Sequence, residues 1–203
     1  MQKCFGWIFA ILVSGQAVAN DCLKFKKNPA VFVNLPDWEK VVVQPKTPMD
    51  FWHGNVVATL VDNYDFVADV NPVDDGFCVG LKTVEALVGY SEFIVQIDMR
   101  HVPKSCSYNA VLKHEDKHIE SYLSVIDDFK PDLQQSMFVA ADSVMPVFVK
   151  SKDDVDAVID LFNMEFQKHP EIILLKQKIK AAQEIRNKQI DQNESGAELD
   201  KCF

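Results

Sequence analysis

The sequence predicts an α+β fold, with a β-rich N-terminal half carrying a mixed or antiparallel sheet and a helical C-terminal half. Three observations predict it. Residues 30–100 hold short Val-rich runs set apart by Pro, Gly, Asn and Asp, as strands and their turns do. Beyond Pro103 the apolar residues recur every three or four positions, the period of an amphipathic helix. The composition is 48% hydrophobic and 25% charged, with only 7 Gly and 9 Pro in 203 residues, which suits a packed core and argues against disorder or a fibre.

The first residues stand apart from this domain. "MQKCFGWIFAILVSGQAVAN" opens with a basic Lys3, continues in an apolar run from Cys4 to Val13, and ends in the small residues Ala17-Val18-Ala19. That order predicts a secretory signal over 1–19, cleaved after Ala19. The apolar run is short for a membrane span, and no later segment is apolar enough to make one. Asn20-Asp21 before Cys22 is not a lipid-attachment sequence. The expected product is therefore a secreted or periplasmic protein, not an integral membrane protein after cleavage. A net charge of −9 without a basic stripe argues against a nucleic-acid partner.

Cleavage would leave Cys22, Cys78, Cys106 and Cys202. Four cysteines in an exported chain predict two disulfides, for which three pairings exist. The preferred pairing is Cys22–Cys78, which ties the N-terminal lobe to itself, with Cys106–Cys202, which pins the C-terminus beside the start of a long helix. No C-x-x-C pair suggests a cysteine zinc cluster.

In chain order, "AVFVNL", "KVVVQP", "VVATLVD" and "FVADV" read as strands, and "GFCVGLKTVEALVGY" as one long strand or two. "EFIVQIDM" alternates: Phe93, Val95, Ile97 and Met99 share one face, and Ile94, Gln96, Asp98 and Arg100 the other. It reads as a half-buried strand able to serve as the edge of a substrate cleft. A helix is expected from Ser107, its N-cap, to Phe129, with Pro131 just past its end. Further helices are expected in "DLQQSMFVAADSVM", from Asp153 through Met164, and in "EIILLKQKIKAAQEIRNKQID" after Pro170.

The predicted Ser107–Phe129 helix contains His114-Glu115-Asp116-Lys117-His118. Residues four apart on a helix share a face, so His114 and His118 can offer two imidazole nitrogens to one zinc ion. Glu115, beside the first histidine, could act as general base toward a zinc-activated water. On the helix Lys117 falls in line with Lys113, Glu120 and Ser124, a wet face, while Glu115 and His118 fall nearer the apolar stripe. Two incidental histidines on a solvated helix is the plainer reading of the same letters.

The third ligand is left open. The stretch after His118 lacks the Gly and His that metzincins place there. Asp127 and Asp128 are too far along the helix, at least about 13 Å by helical rise. Glu165, Glu194, Glu198 and His169 are the downstream candidates. Tyr122, Arg100 and His101 are candidates for oxyanion or substrate contact, though packing is the plainer role for Tyr122. "MDFWHGN", with Trp52 and His53, is a candidate rim loop.

The stretch "IDMRHVPKSCSYNAVLKHEDKH" resembles a group of exported bacterial proteins of unknown function described as secreted zinc-dependent proteases. In these, a strand and a Pro-containing turn lead through a cysteine into an H-E-x-x-H helix, followed by a helical tail with an Asp-x-x-Glu or Asp-x-x-Thr segment. Here the tail is "RNKQIDQNESGAELDKCF", with Asp191 and Glu194 at that spacing. The resemblance covers roughly residues 76 to 203. The better-described relatives carry a histidine in the tail; this chain has Gly196 there. The resemblance thus makes Glu194 or Asp191 the preferred third ligand, and a Cys106–Cys202 bridge would draw either toward the helix.

The combined expectation is a single zincin-like α+β domain over 20–203, with a β-rich lobe (20–105) and a helical lobe (106–203). It would be an exported metallopeptidase acting on a peptide or protein substrate, with Zn2+ as cofactor. The alternative is a non-enzymatic envelope protein, with a structural metal or none, acting through a partner. Nothing in the sequence signals an oligomeric state or a specificity pocket.

Overall fold

The computed structural model describes residues 22–49, 53–194 and 200–202. The predicted leader, Trp52, Gly196, Glu198 and the side chain of Glu194 lie outside the described residues. The described chain forms strands β1 (Ala30–Asn34), β2 (Glu39–Val43), β3 (Gly54–Val73) and β4 (Gly76–Ile97), then helix α1 (Cys106–Ser143) and strand β5 (Val147–Val149). Helices α2 (Val155–Gln167) and α3 (Pro170–Glu194) complete it.

The sheet is mixed, and β4 pairs with every other strand. β2 lies parallel to β4, with Glu39 opposite Glu92 and Val43 opposite Gln96. β5 lies antiparallel, with Phe77 opposite Val149. The segment 92–96 is therefore interior to the sheet, not the edge strand anticipated from "EFIVQIDM". That edge belongs to β2, whose five residues are all exposed and which has β4 as its strand neighbour among the described residues.

Runs that read as separate strands merge. "VVATLVD" and "FVADV" are parts of the 20-residue β3, and the stretches on either side of Ser91 are parts of the 22-residue β4. Polar residues such as Asn63 and Asp65 interrupt the apolar pattern without carrying a turn-forming Gly or Pro, so the backbone stays extended. Only Asp74-Asp75 turns the chain, joining two strands that pair. Within β4, Gly89 holds φ +152° and meets Pro36; a Cβ there would lie 2.9 Å from Pro36 Cδ.

The helix also runs further than its sequence suggests. α1 continues through Pro131 for 38 residues. Proline removes one backbone donor and crowds the carbonyl four residues back, a cost of about 3 kcal/mol. The apolar stripe nonetheless stays in phase across it: Ile126, Leu133, Met137, Ala140 and Ala141 are all buried. Pro131 and Asp127 are exposed, so the carbonyl left without a helical partner is on the wet side. The N-cap is Ser105 rather than Ser107: Ser105 Oγ accepts from Tyr108 N at 3.2 Å.

The chain divides into two compact units. One gathers the described residues of Met1–Phe32 with Tyr64–Glu85 and Gln134–Ile173. Its core includes Val79, Val84, Met137, Phe162 and Phe166, with Tyr64 and Phe66 edge-on to Phe166. Cys22–Cys78, both fully buried, closes its N-terminal segment.

The other unit gathers the described residues of Val33–Asn63, Ala86–Leu133 and Leu174–Phe203. Phe93, Val95, Ile97, Val111, Ile119, Val125 and Leu175 are buried in it. Cys106–Cys202 joins the first turn of α1 to the C-terminal segment, with Cα atoms 5.5 Å apart. Both bridges are the preferred pairing, and both are chemistry of an oxidising compartment. No described helix is long and apolar enough to cross a membrane.

Asp98, placed by alternation on the wetter face of "EFIVQIDM", is fully buried. β4 ends at Ile97, and the turn that follows folds the carboxylate inward, where Met49 N, Arg100 N and the Arg100 guanidinium donate to it. Arg100 and these donors hold the carboxyl well below the usual range. Its contribution to stability is complete above about pH 4 and is lost as the pH falls through the lowered folded-state value. Asp98→Asn should therefore lower the melting temperature at neutral pH, and the gap to wild type should close in strong acid. Thermal melts from pH 7 to 2 check this; a gap that stays constant with pH would show that the charge is irrelevant.

Candidate metal centre

His114 and His118 project from one side of α1, four residues apart, and Asp191 projects from α3. His118 Nε2 lies 3.2 Å from His114 Nε2 and 3.1 Å from Asp191 Oδ1, and His114 Nε2 lies 3.4 Å from the same oxygen. These are the one set of three or more His, Cys, Asp or Glu among the described residues that could hold an ion. A tetrahedral ion with bonds of about 2.0–2.1 Å spaces its ligands about 3.3 Å apart. The donor triangle has edges of that length, and two imidazoles with one carboxylate are a fitting set for zinc. Hydrogen bonds alone satisfy the triangle poorly. A neutral imidazole has one N–H and a carboxylate none, so three lone-pair-bearing atoms meet with too few protons to bridge every edge. A divalent cation would answer all three.

Two elements position this group. α1 buries Val111, Glu115 and Ile119 on one stripe, which half-buries His118 next to it; Lys113, Glu120 and Ser124 are exposed and Lys117 is half-exposed. Asp116 is met by Lys40 of β2 at 2.8 Å. α3 is held by Gln183 donating to Tyr90 Oη and by Arg186 donating to Ser124 and to Asp128. Leu175 and Ile179 bury its apolar side. Ascending residues of α1 meet descending residues of α3, so the two segments run antiparallel. Asn187, one turn before Asp191, lies with its Oδ1 3.2 Å from His118 Nδ1.

Glu115 is 5% exposed. Burial, then the negative charges of Asp191 and Asp116, push its carboxyl up to about 7. Space for it comes from Gly54, where a Cβ would collide with Glu115 Oε1 and lie 2.6 Å from Val111 Cγ1.

The other residues singled out by sequence take different places. Tyr122 packs its ring against Tyr90 and Phe93, centroids 5.0 and 6.1 Å away, the plainer of its two roles. The Arg100 guanidinium is committed to Asp98 and the Met49 carbonyl. His101 is buried, its Nε2 3.0 Å from His53 Nδ1, and its carbonyl accepts from Gln44. Burial and the adjacent His53 hold His101 below the usual histidine range. Glu165 is exposed on α2, and His169 precedes α3, where its Nδ1 accepts from Glu171 N; neither belongs to the three-donor group. Sequence reading missed Gly54, Lys40 and Asn187. Only Asn187 had a signal, its four-residue spacing from Asp191.

Compared with known proteins, the chain matches no family model, no curated protein and no solved structure. The functional reading rests on its own residues.

Proposed function

We propose that this protein is an exported, zinc-dependent, zincin-like hydrolase of peptide bonds or related amides. The observation that carries the proposal is the donor triangle of His114, His118 and Asp191, with edges of 3.1–3.4 Å, beside a buried glutamate. Zinc at such a site supplies Lewis acidity, polarising a carbonyl and making water acidic near neutral pH. The chain supplies the rest. His114, His118 and Asp191 would hold the ion, Asp191 being the member of the Glu194/Asp191 pair whose side chain is described. A catalytic zinc site would keep one position for water beside these three donors, whereas a structural one would be closed by a fourth protein ligand. Glu115 would accept the proton of the attacking water and return it to the leaving nitrogen, a role its place beside the donor group and its burial suit.

β2 is the proposed seat for an extended peptide. It is the exposed edge of the sheet, and its Lys40 is tied to Asp116, next in sequence to Glu115. Main-chain bonds to such an edge align a substrate without choosing its sequence.

Metal analysis of the purified protein tests the premise. Wild type should carry about one equivalent of zinc after dialysis, and His118→Ala should lose it, because two donors seldom retain zinc. Equal zinc in both proteins, or none in wild type, rejects the site.

A further inference from the structure

We infer that Asn187 is a positioning residue that fixes the tautomer of His118. The inference rests on the metal reading above and adds a residue to it. The His118 side chain is 11% exposed, and its Nδ1 contact is part-buried. Its Nδ1 faces Asn187 Oδ1 at 3.2 Å, and its Nε2 faces His114 Nε2 and Asp191 Oδ1 at 3.2 and 3.1 Å. An amide oxygen can only accept, so this contact requires the proton on Nδ1. Nε2 is then left with its lone pair, directed to where the other two donors converge. The opposite tautomer would put an N–H into that space and would require the Asn187 amide to turn over and donate its Nδ2–H to Nδ1.

One helix therefore supplies both a ligand and the group that prepares another ligand. Asn187 and Asp191 are four residues apart on α3, on one face and about 6 Å apart along its axis. Partners of this kind also lock the ring's rotation, and their loss typically weakens metal binding about 10–100-fold. The role is distinct from that of Gln183 and Arg186, which hold α3 in place without touching the histidines.

Zinc affinity measured by competition with a chromophoric chelator tests the inference in the full-length folded protein. Asn187→Leu, a better helix former that cannot accept a hydrogen bond, should bind zinc about 10–100-fold more weakly than wild type. Asn187→Asp, which keeps the acceptor, should bind within a few-fold of wild type or more tightly. Nitrogen-15 NMR of the zinc-loaded wild type should show His118 protonated at Nδ1. An Asn187→Leu affinity within about twofold of wild type, an Asn187→Asp as weak as Asn187→Leu, or a His118 proton on Nε2 would each overturn it. If wild type takes up no zinc, the metal reading itself fails and this inference with it. If wild type and Asn187→Leu bind zinc equally, only the role of Asn187 falls.

Discussion

Glu115→Gln should leave zinc uptake intact and lower peptide hydrolysis about a hundred- to ten-thousand-fold, the usual worth of a positioned general base. Glutamine has the shape of glutamate, so the packing around a side chain only 5% exposed is preserved. None of the three donor atoms is altered. What is lost is an oxygen that can take a proton. Gly54→Ala probes the same carboxylate from the other side, since its methyl would occupy the space of Glu115 Oε1 and Val111 Cγ1. It should also depress turnover while zinc stays bound. Turnover on a mixed peptide library, with zinc content measured in parallel, checks both. Undiminished hydrolysis by Glu115→Gln would remove the general-base assignment, and zinc loss in either variant would show that Glu115 supports the metal instead.

The proposed site is half legible in the sequence, and the reason is geometric. His114, Glu115 and His118 fall on one helix, where the spacing of letters is the spacing of side chains. Asp191 comes from 73 residues beyond His118, and no periodicity reports which carboxylate a distant helix will deliver. Resemblance narrowed it to two residues; the antiparallel run of α3 along α1 brings in Asp191. Gly54 was hidden for another reason, because a glycine's missing side chain is informative only once its neighbour is known. The fold shows a similar division. Strand and helix types follow from local patterns, but β3, β4 and α1 are each longer than their patterns because packing overrides a polar interruption or a proline. The exchange of edge strands between β4 and β2 is likewise nonlocal: alternation tells which face of a strand is buried, not which strand lies beside it. Asp98 escaped alternation because the strand ends one residue before it.

Removing the Cys106–Cys202 bridge should cost several kcal/mol of stability yet weaken zinc binding by less than about tenfold, or about 1.4 kcal/mol. The bridge closes a span of 96 residues. A loop of that size limits the unfolded chain strongly, and losing such a bridge typically costs about 2–5 kcal/mol. Most of that loss arises in the unfolded state, so it says little about where Asp191 sits in the folded one. There α3 is still held by buried Leu175 and Ile179 and by the contacts of Gln183, Arg186 and Lys176, the last paired with Asp62. The ion pairs of Arg186 and Lys176 are exposed and individually worth about 0–1 kcal/mol, so the apolar side of the helix and the buried Gln183–Tyr90 contact carry most of the load. Cys106→Ser with Cys202→Ser should therefore melt well below wild type but still bind zinc. Saturating zinc should return part of the loss, about 2.7 kcal/mol at a free concentration one hundred times Kd. The zinc-loaded variant would then melt close to zinc-free wild type. A folded double variant that binds no zinc would mean that the covalent tie, rather than the packing of α3, delivers Asp191 to the histidines.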